Sequence, residues 1–124
     1  MQPNWKRVAF WATLFYVFYT APTEGKGEIT IDVYPRMFAC LEETTVRVRW
    51  QIEPHADNRA YTLAWWSEEG RSGLTWRMLE GDKAAKTYTL FVDIACVPYV
   101  FQACVYRWVE GKSVSFCDRQ EVGQ

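Results

Sequence analysis

The stretch YVFQACVYRWVEGKSVSFC (99–117) decides the fold. On both sides of Glu110-Gly111, apolar residues occupy every second position, which is typical of half-buried β-strands. Gly111 suits the second central position of a two-residue turn, because glycine readily takes the positive φ that such a turn requires. The stretch therefore predicts a tight β-hairpin near the end of the chain.

This hairpin also predicts a disulfide. With Val109 and Lys112 as the pair that closes the turn, Cys104 lies directly opposite Cys117. A non-hydrogen-bonded pair of this kind brings its Cα atoms to about 4.5 Å, a separation that a disulfide tolerates. In this register the neighbouring residues Val105 and Phe116 point into the core. We therefore expect the bridge on the outer side of the hairpin.

The rest of the chain shows the same alternation from Ile29 onward and no sustained helical period. In the segment around Trp76, the alternation predicts a core face of Leu74, Trp76 and Met78. Short strands with turns about every ten residues are typical of an all-β, two-sheet sandwich. The seven predicted strands lie at 29–34, 46–52, 61–65, 74–78, 87–94, 99–105 and 114–116.

Composition limits the classes of function. The chain has 124 residues, 49% of them hydrophobic, which suits one domain with a well-filled core. Its formal net charge of −1 does not suit a nucleic-acid-binding protein, which needs a basic face. The sequence contains no cofactor-binding or metal-binding motif, and its one histidine, His55, lies in a polar loop without a partner nucleophile. We expect a non-catalytic protein without a cofactor or a metal.

The N-terminal segment (1–25) differs in character from the rest. Basic residues precede an uncharged apolar run at 8–21, a pattern that predicts a signal peptide or a signal anchor. As a helix the run would span about 21 Å, less than a hydrocarbon core of about 30 Å. Cleavage after Gly25 would leave a secreted or periplasmic domain at 26–124. The alternatives are a membrane-anchored protein with its C-terminal domain outside, and a segment that belongs to the fold.

From residue 28 to residue 122 the chain resembles a fibronectin type III or immunoglobulin-like domain. Trp50, in TVRVRW, is similar to the tryptophan of the second strand in fibronectin type III domains. The stretch that begins at Tyr99 is similar to their sixth strand, in which a tyrosine precedes apolar residues at every second position. The resemblance implies a β-sandwich whose structural core includes Trp50, Tyr99 and Phe101.

The same resemblance implies a second disulfide. Cys40 precedes the second strand and Cys96 precedes the sixth, and in such a sandwich these connections lie at the same end of the domain. We therefore expect Cys40–Cys96 beside Cys104–Cys117, as in a protein exported to an oxidising compartment. The alternative is four reduced thiols in a cytosolic protein. Cys96 also departs from the resembled pattern, which usually has proline and glycine there.

Outward aromatic side chains are the remaining candidates for function. The alternation places Trp66, Val100, Tyr106 and Trp108 on the outer face of the sheet, and Phe91 on an outer face as well. A contiguous patch of this kind marks a binding surface, unless the leader, a neighbouring chain or a loop covers it. We expect a recognition or adhesion module that binds a protein. The alternatives are a structural subunit of a virion or cell-surface assembly, and a carbohydrate-binding or enzyme-inhibiting domain; each is compatible with an oligomer.

Overall fold

The computed structural model of the chain describes residues 23–24, 27–40, 42–79 and 86–123, so the apolar run 8–21 lies outside the described residues. The described part contains β-strands and no helix. Its seven long strands, β2 to β8, match the seven predicted segments in order. The strands are β1 (Thr23–Glu24), β2 (Ile29–Tyr34), β3 (Glu43–Ile52), β4 (Asn58–Ser67), β5 (Ser72–Met78), β6 (Lys86–Ala95), β7 (Tyr99–Val109) and β8 (Lys112–Val122).

The strands form two sheets that enclose one core. The large sheet has the order β1-β8-β7-β4-β5, and the small sheet has the order β2-β3-β6. Neighbouring strands run antiparallel, except that β1 runs parallel to β8. The architecture is therefore the predicted all-β, two-sheet sandwich.

The core consists of the inward residues of the alternating strands. Trp50 packs edge-on against Tyr61, with 5.5 Å between ring centroids, and stacks on Tyr88 at 5.6 Å. Tyr99 and Phe101, on β7, are buried as well and lie 6.2 Å apart. The three residues expected in the structural core are thus all inside the sandwich.

The β7–β8 hairpin has the register that its sequence predicts. Val109 pairs with Lys112 at the turn. Glu110 and Gly111 have φ angles of 51° and 80°, the positive values that a type I′ turn requires at both central positions. The local chemistry of two residues thus sets the pairing of two strands of eleven residues each.

Both disulfides join the cysteines that were expected to pair. Cys104 lies opposite Cys117 on neighbouring strands, with 4.0 Å between their Cα atoms. Cys40 is bonded to Cys96, with 6.1 Å between their Cα atoms. This bridge links the segment before β3 to the turn between β6 and β7. The described residues contain no free cysteine.

The predicted face of β5 is wrong. Leu74, Trp76 and Met78 do not point into the core; they are exposed by 47%, 61% and 63%. The cause lies on β4, where the indole ring of Trp65 fills the space beside Gly73. Position 73 therefore faces inward without a side chain, and the even-numbered residues of β5 point outward.

Arg107 is a buried arginine on the inward side of β7, with 6% of its surface exposed. Its Nε donates to Oδ1 of buried Asn58 at 3.0 Å, and its Nη2 forms an ion pair with Glu28. The guanidinium carbon also lies 4.9 Å from the ring centroid of Phe116. Because Glu28 directly precedes β2, this arginine connects the large sheet to the small one.

The short strand β1 lies within the segment 1–25. Thr23 pairs with Phe116 and Glu24 pairs with Cys117, along the edge of β8. Cleavage after Gly25 would therefore remove β1 from the large sheet.

Candidate functional site

The four predicted binding residues share the side of the large sheet that points away from the core, which we name the outer face. Trp66 on β4 lies directly opposite Val100 on β7. Tyr106 and Trp108 follow Val100 at even-numbered positions of β7, so their side chains leave the same side of the sheet. The strands thus bring all four residues onto one surface.

These four side chains are not equally accessible. Trp66 is half-buried, and the guanidinium of Arg119 lies 5.7 Å from the centroid of its ring. Arg119 also donates to Oε1 of Gln102 at 3.0 Å, so polar side chains lie next to the Trp66 ring. Tyr106 is half-buried, and its hydroxyl lies 3.3 Å from Oγ1 of Thr62. Of the four, Trp108 offers the most open ring, with 46% of its surface exposed.

The largest apolar exposure on the outer face comes from β5. Leu74, Trp76 and Met78, which we name the apolar stripe, follow one another along this strand and point outward. The residues opposite them on β4 are small and leave the stripe uncovered: Ala64, Thr62 and Ala60. The alternation of β5 predicted a core face for these residues, so the stripe could not be recognised from the sequence.

The apolar stripe lies near the Cys104–Cys117 disulfide of the large sheet. Trp76 pairs with Thr62 on β4, and Thr62 pairs with Cys104 on β7. Two strand spacings, about 10 Å, therefore separate the stripe from the Cys104–Cys117 bridge. The bridge is buried at Cys104, with 4% exposure. Both β4 and β7, on which this face is built, are paired with a strand on each side.

The apolar stripe and the residues opposite it on β4 are uncharged. Charged residues of the neighbouring strands include Arg119 and Glu121 on β8, and exposed Arg59 at the irregular start of β4. Described residues form no group of acidic, histidine or cysteine side chains that could hold a metal ion. Nδ1 of His55 accepts a hydrogen bond from the backbone N–H of Asp57 at 3.0 Å, within its own loop. The stripe can bind a partner through burial of its exposed apolar side chains.

The outer side of the small sheet also carries exposed aromatic residues, but a charged residue separates them. Tyr34 and Phe91 are exposed there by 64% and 67%. Arg47 lies between them in the same row of the sheet, with its guanidinium 5.6 Å from the centroid of the Tyr34 ring. A charged group thus interrupts this pair of aromatics, whereas the stripe on β5 is continuous.

Fold and surface together define a small all-β sandwich with an apolar stripe on the outer face of its larger sheet. Comparison of the chain with known protein families, with curated proteins and with solved structures finds no match. In the part of the chain that the structure describes, no helix is long and apolar enough to cross a membrane.

Proposed function

We propose that the domain is a non-catalytic recognition module that binds a protein through its outer face. The observation that carries this proposal is the apolar stripe, whose members Leu74, Trp76 and Met78 are exposed by 47% to 63%. Exposed apolar side chains that form one contiguous patch mark interaction surfaces, whereas scattered ones do not. Tryptophan is also among the residues that most often dominate the binding energy of an interface.

The chemistry of the outer face favours a protein partner with an apolar surface of low charge. Nucleic acid or an anionic membrane would require basic side chains, and Arg119 on this face is already engaged with Gln102 and Trp66. A sugar site needs placed polar groups around its aromatic ring, but the neighbours of Trp76 along β5 on this face are Leu74 and Met78. Both competing ligands therefore fit less well.

Two further observations support an exported module. The two disulfides suit an extracellular or otherwise oxidising compartment. We propose that the segment 1–25 directs export, as a cleaved leader or as an anchor. The strand order is compatible with a fibronectin type III or immunoglobulin-like sandwich, and such domains commonly serve as interaction modules, an analogy at the level of the fold.

Site-specific photo-cross-linking tests the proposal in cells that produce the full chain. A benzoylphenylalanine replaces Trp76 in one variant and Phe91 in the matched control. These side chains are exposed by 61% and 67%, on the outer sides of opposite sheets. We expect the variant at position 76 to form a covalent adduct with one protein other than this chain, identified by mass spectrometry. We expect no such adduct from position 91.

Two results would contradict the proposal. One is the absence of any adduct at position 76, or the same set of adducts from both positions. The other is an adduct at position 76 that contains only copies of this chain, because it would leave no separate protein partner on the outer face.

A further inference from the structure

We infer that β5 pairs edge to edge with β5 of a second copy of this chain. β5 is the last strand of the large sheet: it pairs with β4 on one side, and no described strand pairs with its other side. The inference concerns the backbone edge of β5, so it does not depend on the protein that the outer face is proposed to bind.

The hydrogen bonds to β4 show which backbone groups of β5 are left over. Ser67 donates to the carbonyl of Arg71 at 2.9 Å, and Leu79 donates to the carbonyl of Arg59 at 2.7 Å. In an antiparallel ladder, hydrogen-bonded pairs alternate with non-hydrogen-bonded ones, so the odd-numbered residues of β5 are those bonded to β4. The N–H and C=O groups that point to the free edge are those of the even-numbered residues: Ser72, Leu74, Trp76 and Met78.

Among the described residues, none gives the free edge of β5 the protection that edge strands usually have. Natural edge strands carry charges or proline, or are covered by other segments. At the edge of β2, the N–H of Ile31 donates to Oδ2 of Asp118 at 3.0 Å, and Pro35 follows the strand. β8 is covered in part by β1. β5 has the sequence SGLTWRM, in which Arg77 is the one charged residue and lies on the side opposite the stripe.

The edge is self-complementary when two copies meet about a twofold axis at Trp76. Each Trp76 then lies opposite Trp76 of the second copy, and Leu74 lies opposite Met78. Even-numbered residues meet even-numbered residues, so each such pair can exchange two hydrogen bonds. The two stripes join into one apolar strip, and aromatic cross-strand pairs are favourable.

Charge and register agree with this arrangement. Arg77 lies opposite Thr75 of the second copy, so like charges do not face each other across the new ladder. The register shifted by two residues also pairs even-numbered residues, but it places Met78 opposite Ser72. The register centred on Trp76 instead sets apolar side chains against one another. A second copy of the chain is therefore the occupant that fits this edge.

Backbone amide exchange, resolved by NMR on the full chain in the N-terminal form that cells produce, tests the pairing. We expect the amide protons of Trp76 and Met78 to exchange slowly at high protein concentration and quickly on dilution. The amide protons of Thr75 and Arg77 are the internal control, because they donate to β4 in either state. Fast exchange at Trp76 at every concentration, with the mass of a single chain by sedimentation equilibrium, would overturn the inference.

A pair of substitutions at one position separates the backbone contribution from that of the side chain. Leu74→Pro removes an N–H that points to the free edge, a place where a strand tolerates proline. Leu74→Ala removes the same side chain and keeps the N–H. We expect the proline variant to have a dimer dissociation constant about tenfold or more above that of the alanine variant. Equal constants would overturn the inference, and if the proline variant does not fold, amide exchange alone decides.

The two proposals can fail separately. A monomeric chain that cross-links from position 76 to a different protein would overturn the edge pairing and keep the recognition function. Slow exchange of the Trp76 amide proton, without an adduct to another protein, would keep the edge pairing and overturn the recognition function.

Discussion

The indole ring of Trp65 lies so close to Gly73 on the neighbouring strand that a Cβ on Gly73 would lie 2.2 Å from Cζ2 of the ring. Trp65 also stacks on Phe101, with 6.0 Å between ring centroids. This packing fixes which side of β5 faces the core, and it therefore places Trp76 on the outer face. The paired register of β5 with β4 agrees with this packing, since Trp76 lies opposite outward Thr62.

A methyl group at position 73 should destabilise the domain. Alanine would collide with the ring of Trp65, so we expect Gly73→Ala to lower the free energy of unfolding by about 1–3 kcal/mol, the usual cost of overpacking. Without such a neighbour, glycine to alanine in a strand interior would stabilise. The neighbouring exposed position provides the control: Ser72→Ala should change stability by less than about 0.5 kcal/mol in urea unfolding.

The origin of this penalty can be checked with a double-mutant cycle. In a Trp65→Ala background, the space beside position 73 is empty, so Gly73→Ala should be neutral or stabilising. A penalty that persists without the Trp65 ring, or a stabilising effect of Gly73→Ala in the wild-type protein, would contradict the packing described.

Arg107→Ala should be costly because it leaves buried polar groups without their partner. Asn58 would lose the hydrogen bond from Nε and Glu28 would lose its ion pair, at a cost of about 2–3 kcal/mol in chemical unfolding. Arg71 is the matched control, since its side chain is 62% exposed and pairs with exposed Glu69. We expect Arg71→Ala to cost less than about 1 kcal/mol. Equal effects of the two substitutions would show that burial of Arg107 contributes nothing.

The two disulfides should stabilise to different extents. Cys40 and Cys96 are 56 residues apart, whereas Cys104 and Cys117 are 13 apart. In the chain-entropy account, removal of the first bridge costs about 4 kcal/mol and removal of the second about 3 kcal/mol. Thermal unfolding of the two double-alanine variants measures the difference. A larger loss from the hairpin bridge would contradict this order.

Stability should fall in alkaline solution because of Tyr61. Burial raises the pKa of Tyr61 above its ordinary value of 10.0, the charge of Arg77 opposes this shift, and Tyr88 adds to it. The folded state thus holds the phenol proton more tightly than the unfolded chain. The free energy of unfolding should therefore be unaffected below pH 10 and decrease as the pH rises from there through the raised pKa. In urea unfolding, Tyr61→Phe should show a shallower decrease above pH 10; an unchanged decrease would exclude Tyr61 as its cause.

The features predicted from the residues alone are those that neighbouring residues determine, whereas the Cys40–Cys96 bridge, between segments 56 residues apart, was predicted from the family resemblance. Glu110 and Gly111 set the hairpin turn, and the turn fixes the pairing of Cys104 with Cys117. The seven strands likewise follow from alternation within each segment. In these cases the physical cause lies within a few residues along the chain.

The features that sequence analysis missed depend on contacts between distant segments. Alternation shows that β5 has two different faces, but Trp65 on another strand decides which of them is buried. The partners of Arg107 are also remote, since Glu28 is 79 residues away. A pattern of period two contains no information about either contact.

The most direct measurement of the central claim is the affinity of the full chain for the protein that cross-linking at position 76 identifies. Loss of a tryptophan at the centre of an interface typically costs about 2 kcal/mol or more, which is about 30-fold in Kd. We predict a rise of this size for Trp76→Ala and an unchanged Kd for Phe91→Ala. An unchanged Kd for Trp76→Ala, or an equal rise for both variants, would contradict the assignment of binding to the outer face.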